Sequence, residues 1–137
     1  MAEKTKIVHV SGKRKQAIAR ATAKPGTGVV KINKKYLDMY EPEFARLRIM
    51  EPLILAGPLA EKVNIDVKVI SGGWSSQAEA SRLAIARALV GYTGSKELKK
   101  LFLEYDRHLL VADTRRKEPR KPLCHSRARA KRQKSYR

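Results

Sequence analysis

Cysteine occurs once in this chain, as Cys124, so no intramolecular disulfide can form. The three histidines, His9, His108 and His125, are scattered, and no group of His, Cys and carboxylates has metal-ligand spacing. No apolar run approaches the roughly 20 residues that a membrane-spanning helix needs. The opening Met1-Ala2-Glu3-Lys4-Thr5 lacks the apolar core of a secretory signal, so the cytosol is the expected compartment. Catalytic signatures are missing too. Gly12-Lys13 is followed by Arg14 and has no glycine at the upstream spacing of a phosphate loop. Asp106-Arg107-His108 and Cys124-His125 place acid, base and nucleophile side by side in sequence, where neighbours on a helix do not face one another. No catalytic residue, metal or cofactor is expected. Acidic residues are also scarce: 13 against 31 Lys and Arg, which leaves a net charge of +18.

A charge of that size opposes compaction unless a polyanion neutralises it. Nucleic acid is the leading partner class, and an anionic membrane surface would attract the same charge. The excess is confined to the ends. Residues 1–35 carry ten basic residues and one acid, residues 36–113 carry ten and eleven, and residues 114–137 carry eleven and one. A chain of 137 residues suits one domain. The layout predicts a balanced body over 1–113 and an extended basic tail over 114–137.

Within the body, Ile7-Val8-His9-Val10, residues 16–23 and residues 29–33 read as three strands of an antiparallel meander. Lys13-Arg14-Lys15 falls in the first turn and Pro25-Gly26-Thr27-Gly28 in the second. Pro42 suits the first turn of a short helix to about residue 48, and Pro52 is expected to open a separate one ended by Gly57 or Pro58. Val63, Ile65, Val67 and Val69 alternate with Asn64, Asp66 and Lys68, a strand with one buried face. Gly72-Gly73 then allows a tight turn. Ser76 and Glu79 have capping-box spacing for a helix over about 77–90 that stops at Gly91. Ser95 starts a last helix with Leu98, Leu101, Phe102 and Tyr105 at helical spacing. From Thr114 on, aliphatic residues nearly vanish, so the tail cannot form a core and is expected to be disordered without a partner.

Lys13, Arg14 and Lys15 would reach neighbouring phosphates together with Arg20, Lys24, Lys31, Lys34 and Lys35 of the same meander; the plainer alternative is a solvated turn. Gly72-Gly73 before a helix can present free N–H groups to an anion, or can be a plain β-to-α turn. Arg82 either snorkels from the core to pair with Glu79 or emerges onto RNA, while Arg87 lies on another side. Trp74 reads as a packing residue. In the tail, the arginines can fork onto phosphate and Tyr136 offers a flat surface for a base, although a localisation signal or non-specific polycation has the same composition.

Three ordered motifs carry a family resemblance. They are Gly12-Lys13-Arg14-Lys15-Gln16-Ala17-Ile18-Ala19-Arg20 through Ile32-Asn33; Gly72-Gly73 with Ser76-Gln77-Ala78, Arg82 and Ile85-Ala86-Arg87-Ala88-Leu89; and Tyr105-Asp106-Arg107 through Arg115-Arg116 to Gln133-Lys134-Ser135-Tyr136-Arg137. Together they resemble small-subunit ribosomal protein nine in its archaeal and eukaryotic style, over nearly the whole chain from Val10. That resemblance implies an α/β (α+β) two-layer fold like the second domain of ribosomal protein five, with a mixed four-stranded sheet, helices on one face and an extended basic C-terminal tail. It also implies a structural role in the head of the cytoplasmic small subunit, beside neighbouring head proteins and away from membranes. Ribosomal RNA would meet Lys13, Arg14, Lys15, Arg20, Lys31, Lys34, Lys35, Gly72, Gly73, Ser75, Gln77, Arg82 and Arg87. In the tail it would meet Arg115, Arg116, Lys117, Arg120, Lys121, Arg127, Arg129 and Lys131. Peptidyl-site transfer RNA would meet Arg132, Lys134, Tyr136 and Arg137. Two departures stand out: Trp74 replaces a glycine common after the paired glycines, and Pro122-Leu123-Cys124-His125-Ser126 replaces a Gly-rich bend. The competing readings are a non-ribosomal basic nucleic-acid-binding or RNA-processing factor of the same fold, and an enzyme, since fold alone does not assign function.

Overall fold

A computed structural model describes residues 6–124 and 128–129. Five strands form one mixed sheet: β1 (Val8–Arg14), β2 (Ala17–Pro25), β3 (Val30–Ile32), β4 (Lys35–Tyr36) and β5 (Val63–Ile70), in the order β1-β2-β5-β3-β4. The expected sheet had four strands; the fifth is the two-residue β4, too short to show periodicity. The meander is also corrected. β1 and β2 form an antiparallel hairpin, but β5 lies between β2 and β3, antiparallel to the first and parallel to the second. Asn33 helps to fix this register: its Oδ1 accepts the Val69 N–H at 2.9 Å and its Nδ2 donates to the Val69 carbonyl at 3.2 Å.

Of three helices, α1 (Glu43–Ala56), α2 (Trp74–Thr93) and α3 (Lys96–Tyr105), α2 lies across one face of the sheet against β1, β2 and β5, and α1 and α3 pack on α2. The strands alternate accordingly. Ala17, Ala19, Ala21 and Ala23 of β2 and Val63, Ile65, Val67 and Val69 of β5 are buried under the helices, while Arg20, Lys24, Asp66 and Lys68 face outward. The small side chains of β2 let α2 settle close to the sheet. Gly12 marks the closest approach, since a Cβ there would stand 2.3 Å from the Ala80 carbonyl oxygen.

Helix boundaries differ from the sequence reading at three places and agree at one. Pro52 sits inside a continuous α1 with its ring fully buried, so packing offsets the backbone bond that proline cannot donate. At its start, α2 begins at Trp74 behind Gly73, and neither Ser76 nor Glu79 caps it. Further on, α2 passes through Gly91, which packs on Val8, and ends at Gly94 with φ of +67°. Ser95 caps α3 as expected, its Oγ accepting the Leu98 N–H at 3.2 Å.

Candidate nucleic-acid interface

The face of the sheet without helices is a shallow trough of ≈ 1050 Å³. Arg20 and Lys68 form its centre, Lys31, Asn33 and Lys34 one flank, and His9 and Ser11 the other. Arg20 and Lys68 are directly opposite one another on β2 and β5. Like charges paired across strands are unfavourable, and among the described residues neither has a hydrogen bond or ion pair to relieve it. Lys31 has Asp66 opposite and lies 4.8 Å from the centre of the Tyr36 ring. The β3–β4 turn is made by Asn33 and Lys34, both left-handed, with φ of +48° and +70°. That turn projects the exposed Lys34 and Lys35 at the rim. The trough is therefore a concave surface on which Arg20, Lys31, Lys34 and Lys68 outnumber the acid Asp66, fit for a phosphate backbone.

Lys13, Arg14 and Lys15 do not share a turn. β1 continues through Arg14, so only Lys15 and Gln16 make the hairpin loop, and strand parity separates the three. Lys13 is exposed on the open side and Lys15 at the turn, whereas Arg14 points under the helices. There it pairs with Glu79 through Nε and with Asp113 through Nη1 at 2.7 Å. Arg48 of α1 reaches the same Glu79 at 3.0 Å.

Arg82 and Arg87 are likewise held within the protein. Arg82 is buried and pairs with Glu51 and with Asp106, at 2.8 Å to the latter, which answers the question its sequence position left open; Glu79 is not its partner. For Asp106, burial works against ionisation, yet the Arg82 hydrogen bond, the His108 N–H and both neighbouring charges hold its carboxyl below the ordinary range. Arg87 donates to the carbonyls of Leu110 at 2.9 Å and Ser11 at 2.8 Å. Arg14, Arg82 and Arg87 thus join the helix layer to β1 and to the chain after α3. Guanidinium suits such places because its fork meets two acceptors at once.

At the root of the tail, Asp113 takes the Arg115 backbone N–H at 2.9 Å and its Nη2 at 3.0 Å, along with Arg14. Arg115 above all, then Arg14, holds the Asp113 carboxyl well below the usual carboxylate range. Residues 114–124 contain neither helix nor strand, and Arg115, Arg116, Lys117, Arg120 and Lys121 are exposed. Glu118 accepts both Nε (3.1 Å) and Nη2 (2.6 Å) of Arg129. Arg127, Lys131, Arg132, Lys134, Tyr136 and Arg137 lie outside the described residues.

The Gly72-Gly73 turn is closed by Gln77, whose Nε2 donates to the Ser71 carbonyl at 3.2 Å, and Gly73 and Ser75 are exposed beside it. No side chain caps the start of α2. Sequence reasoning passed over Lys68 as a site residue, although the parity of β5 already set it on the same side as Asp66. Among the described residues, no group of His, Cys, Asp and Glu could hold a metal ion, and no helix is long and apolar enough to cross a membrane.

The chain matches the family model for Ribosomal protein S9/S16 over residues 12–137. Two proteins called Small ribosomal subunit protein uS9, from Methanococcus maripaludis strains C7 and C5, are each 53% identical over 133 residues, covering 96% of this chain and 99% of theirs. The protein of the same name from Methanococcus vannielii is 52% identical over the same length. With the recognition motifs in order and the similarity running nearly end to end, the chain belongs to the Ribosomal protein S9/S16 family.

Proposed function

We propose that this chain is a structural constituent of the small ribosomal subunit and not an enzyme, placed in the cytoplasm as part of that particle. Its body, up to Asp113, lies on ribosomal RNA through the open sheet face. Arg20, Lys68, Lys31, Lys34 and Lys35 follow the phosphates, with Lys13 and Lys15 at the hairpin end. From Thr114 the tail continues along RNA through Arg115, Arg116, Lys117, Arg120, Lys121, Arg127, Arg129 and Lys131. Arg132, Lys134, Tyr136 and Arg137 at its tip support transfer RNA in the peptidyl site. Arg14, Arg82 and Arg87 keep the body in shape and contact RNA little.

The observation that carries this reading is the pairing of Arg20 with Lys68 on a helix-free, concave face. Two cations opposed across strands without a carboxylate between them call for an external anion. Membership in a ribosomal-protein family supports RNA as that anion. Deleting residues 133–137 is the test of the tip. Particles carrying the truncated chain should assemble normally and bind peptidyl-site transfer RNA more weakly; unchanged affinity in such particles refutes the assignment.

A further inference from the structure

Helix α1 is apolar on two sides. Ala45, Ile49, Pro52 and Ala56 make its buried face, yet Phe44, Leu47 and Ile54 stand on the opposite side, 80%, 52% and 70% exposed. A helix with a second apolar side ordinarily has that side covered as well. Trp74, at the first turn of α2 and 57% exposed, meets Phe44 and Leu47 across a groove of ≈ 460 Å³ whose floor includes Ala45 and Ala78. The two charges at the groove, Arg48 and Glu51, already pair with Glu79 and Arg82.

We infer that this groove seats an apolar ridge of another protein of the same particle, carrying basic residues on its flanks. The inference rests on the reading of the chain as a ribosomal component. RNA does not fit the groove. Its one lining cation, Arg48, is paired with Glu79, Arg46 is turned to the Asp38 carbonyl and Glu43, and the exposed Glu41 and Glu43 stand at the head of α1. Those acids complement a basic partner. A second copy is disfavoured, because two chains of net +18 repel each other. The chain's own tail is unsuited too, since Leu123 is its last aliphatic residue beyond alanine. Aromatic and leucine anchors of this kind dominate protein–protein interfaces when a partner desolvates them.

The test uses purified small subunits containing this chain with a photo-crosslinking phenylalanine analogue at position 44, at 47 or, as a control, at Thr22 on the open sheet face. Expected are a crosslink from 44 and 47 to one ribosomal protein, at an apolar residue flanked by Lys or Arg, and a crosslink from 22 to RNA. RNA crosslinks from 44 and 47, crosslinks between copies of the chain, or none while position 22 still reaches RNA overturn the docking inference alone. If position 22 also fails and the chain leaves the particle, the ribosomal reading itself falls and takes the inference with it. As a second measure, Trp74→Ala should weaken retention of the crosslinked partner about thirtyfold. The chain's own thermal stability and its affinity for RNA should not change; equal retention of the partner would refute the groove's role.

Discussion

Replacing both cations of the central cross-strand pair, as Arg20→Gln with Lys68→Gln, should move stability and RNA affinity in opposite directions. Glutamine keeps most of each stem, so the packing along the sheet is retained and the charge is what changes. The residues are opposite in register, so their flexible tips lie on the order of 7 Å apart, where two unit charges in water repel by about 0.6 kcal/mol. Salt at about 0.1 M, with a screening length near 10 Å, reduces this to roughly 0.3 kcal/mol. The free double variant should therefore be more stable by a few tenths of a kcal/mol in urea titrations at low salt, and the difference should shrink as salt is added. On a transcript of the small-subunit head RNA the variant should bind more weakly. Its log–log salt slope should be shallower by about 0.7 to 0.9 for each phosphate no longer neutralised, hence about 1.4 to 1.8 for the pair. An unaltered slope would mean that the trough faces solvent; a loss of stability at low salt would mean that the two charges do not repel in the folded chain.

Removing Arg82 leaves Glu51 and Asp106 partly buried without their cation, and Arg82→Ala should cost about 3 kcal/mol in chemical denaturation, the low end for such pairs because both carboxylates stay about 30% exposed. Asp106, with its carboxyl lowered in the folded chain, stabilises the fold above its ordinary value of 3.8, and that contribution is lost as pH falls through the lowered value. Asp106→Asn should thus be less stable than the parent chain at pH 7, with a gap that closes on acidification; a gap constant with pH would refute the pairing. Gly12→Ala drives a methyl group into the Ala80 carbonyl and the Ala84 amide, and should cost about 1–3 kcal/mol in thermal unfolding, whereas Gly91→Ala, facing only a Val8 methyl at 3.1 Å, should cost less. Arg14→Gln should lower stability yet hardly change the salt slope of RNA binding, and Lys13→Gln with Lys15→Gln should do the reverse.

Local pattern carried part of this fold. β5 was legible because its apolar positions alternate over its whole length, and α3 because Ser95 caps it and its buried side falls at helical spacing. The placement of β5 between β2 and β3 was not, since nothing in residues 16–33 announces that a strand some 30 positions later will enter. The side-chain bonds of Asn33 to Val69 that secure it are visible only in space. Pro52 and Gly91 misled for one reason: both are helix breakers by local preference, and both are held in helices by packing. At the interface, strand parity could have supplied Lys68, but charge counting could not separate Arg14, Arg82 and Arg87 from cations free to meet RNA. Their carboxylate and carbonyl partners come from distant positions.

The kind of cation follows the work it does. Arg14, Arg82 and Arg87 each bridge two groups within the protein, and Arg48 and Arg115 each hold one carboxylate, work that suits a planar fork with several donors that always carries its charge. On the open face and its rim stand mostly lysines: Lys13, Lys15, Lys24, Lys31, Lys34, Lys35 and Lys68, with Arg20 the exception at the centre. An ammonium on a flexible stem suits a phosphate backbone whose spacing the protein need not match atom for atom. The division also bears on how so basic a chain can fold: ten of its +18 charges lie in the tail beyond residue 113, and within the described body acids are drawn to the arginines under and around the helices, which leaves the rest of the surplus on the side turned outward. Folding and the proposed RNA binding would then be served by two separate sets of charges, so changes in one set should be separable from changes in the other.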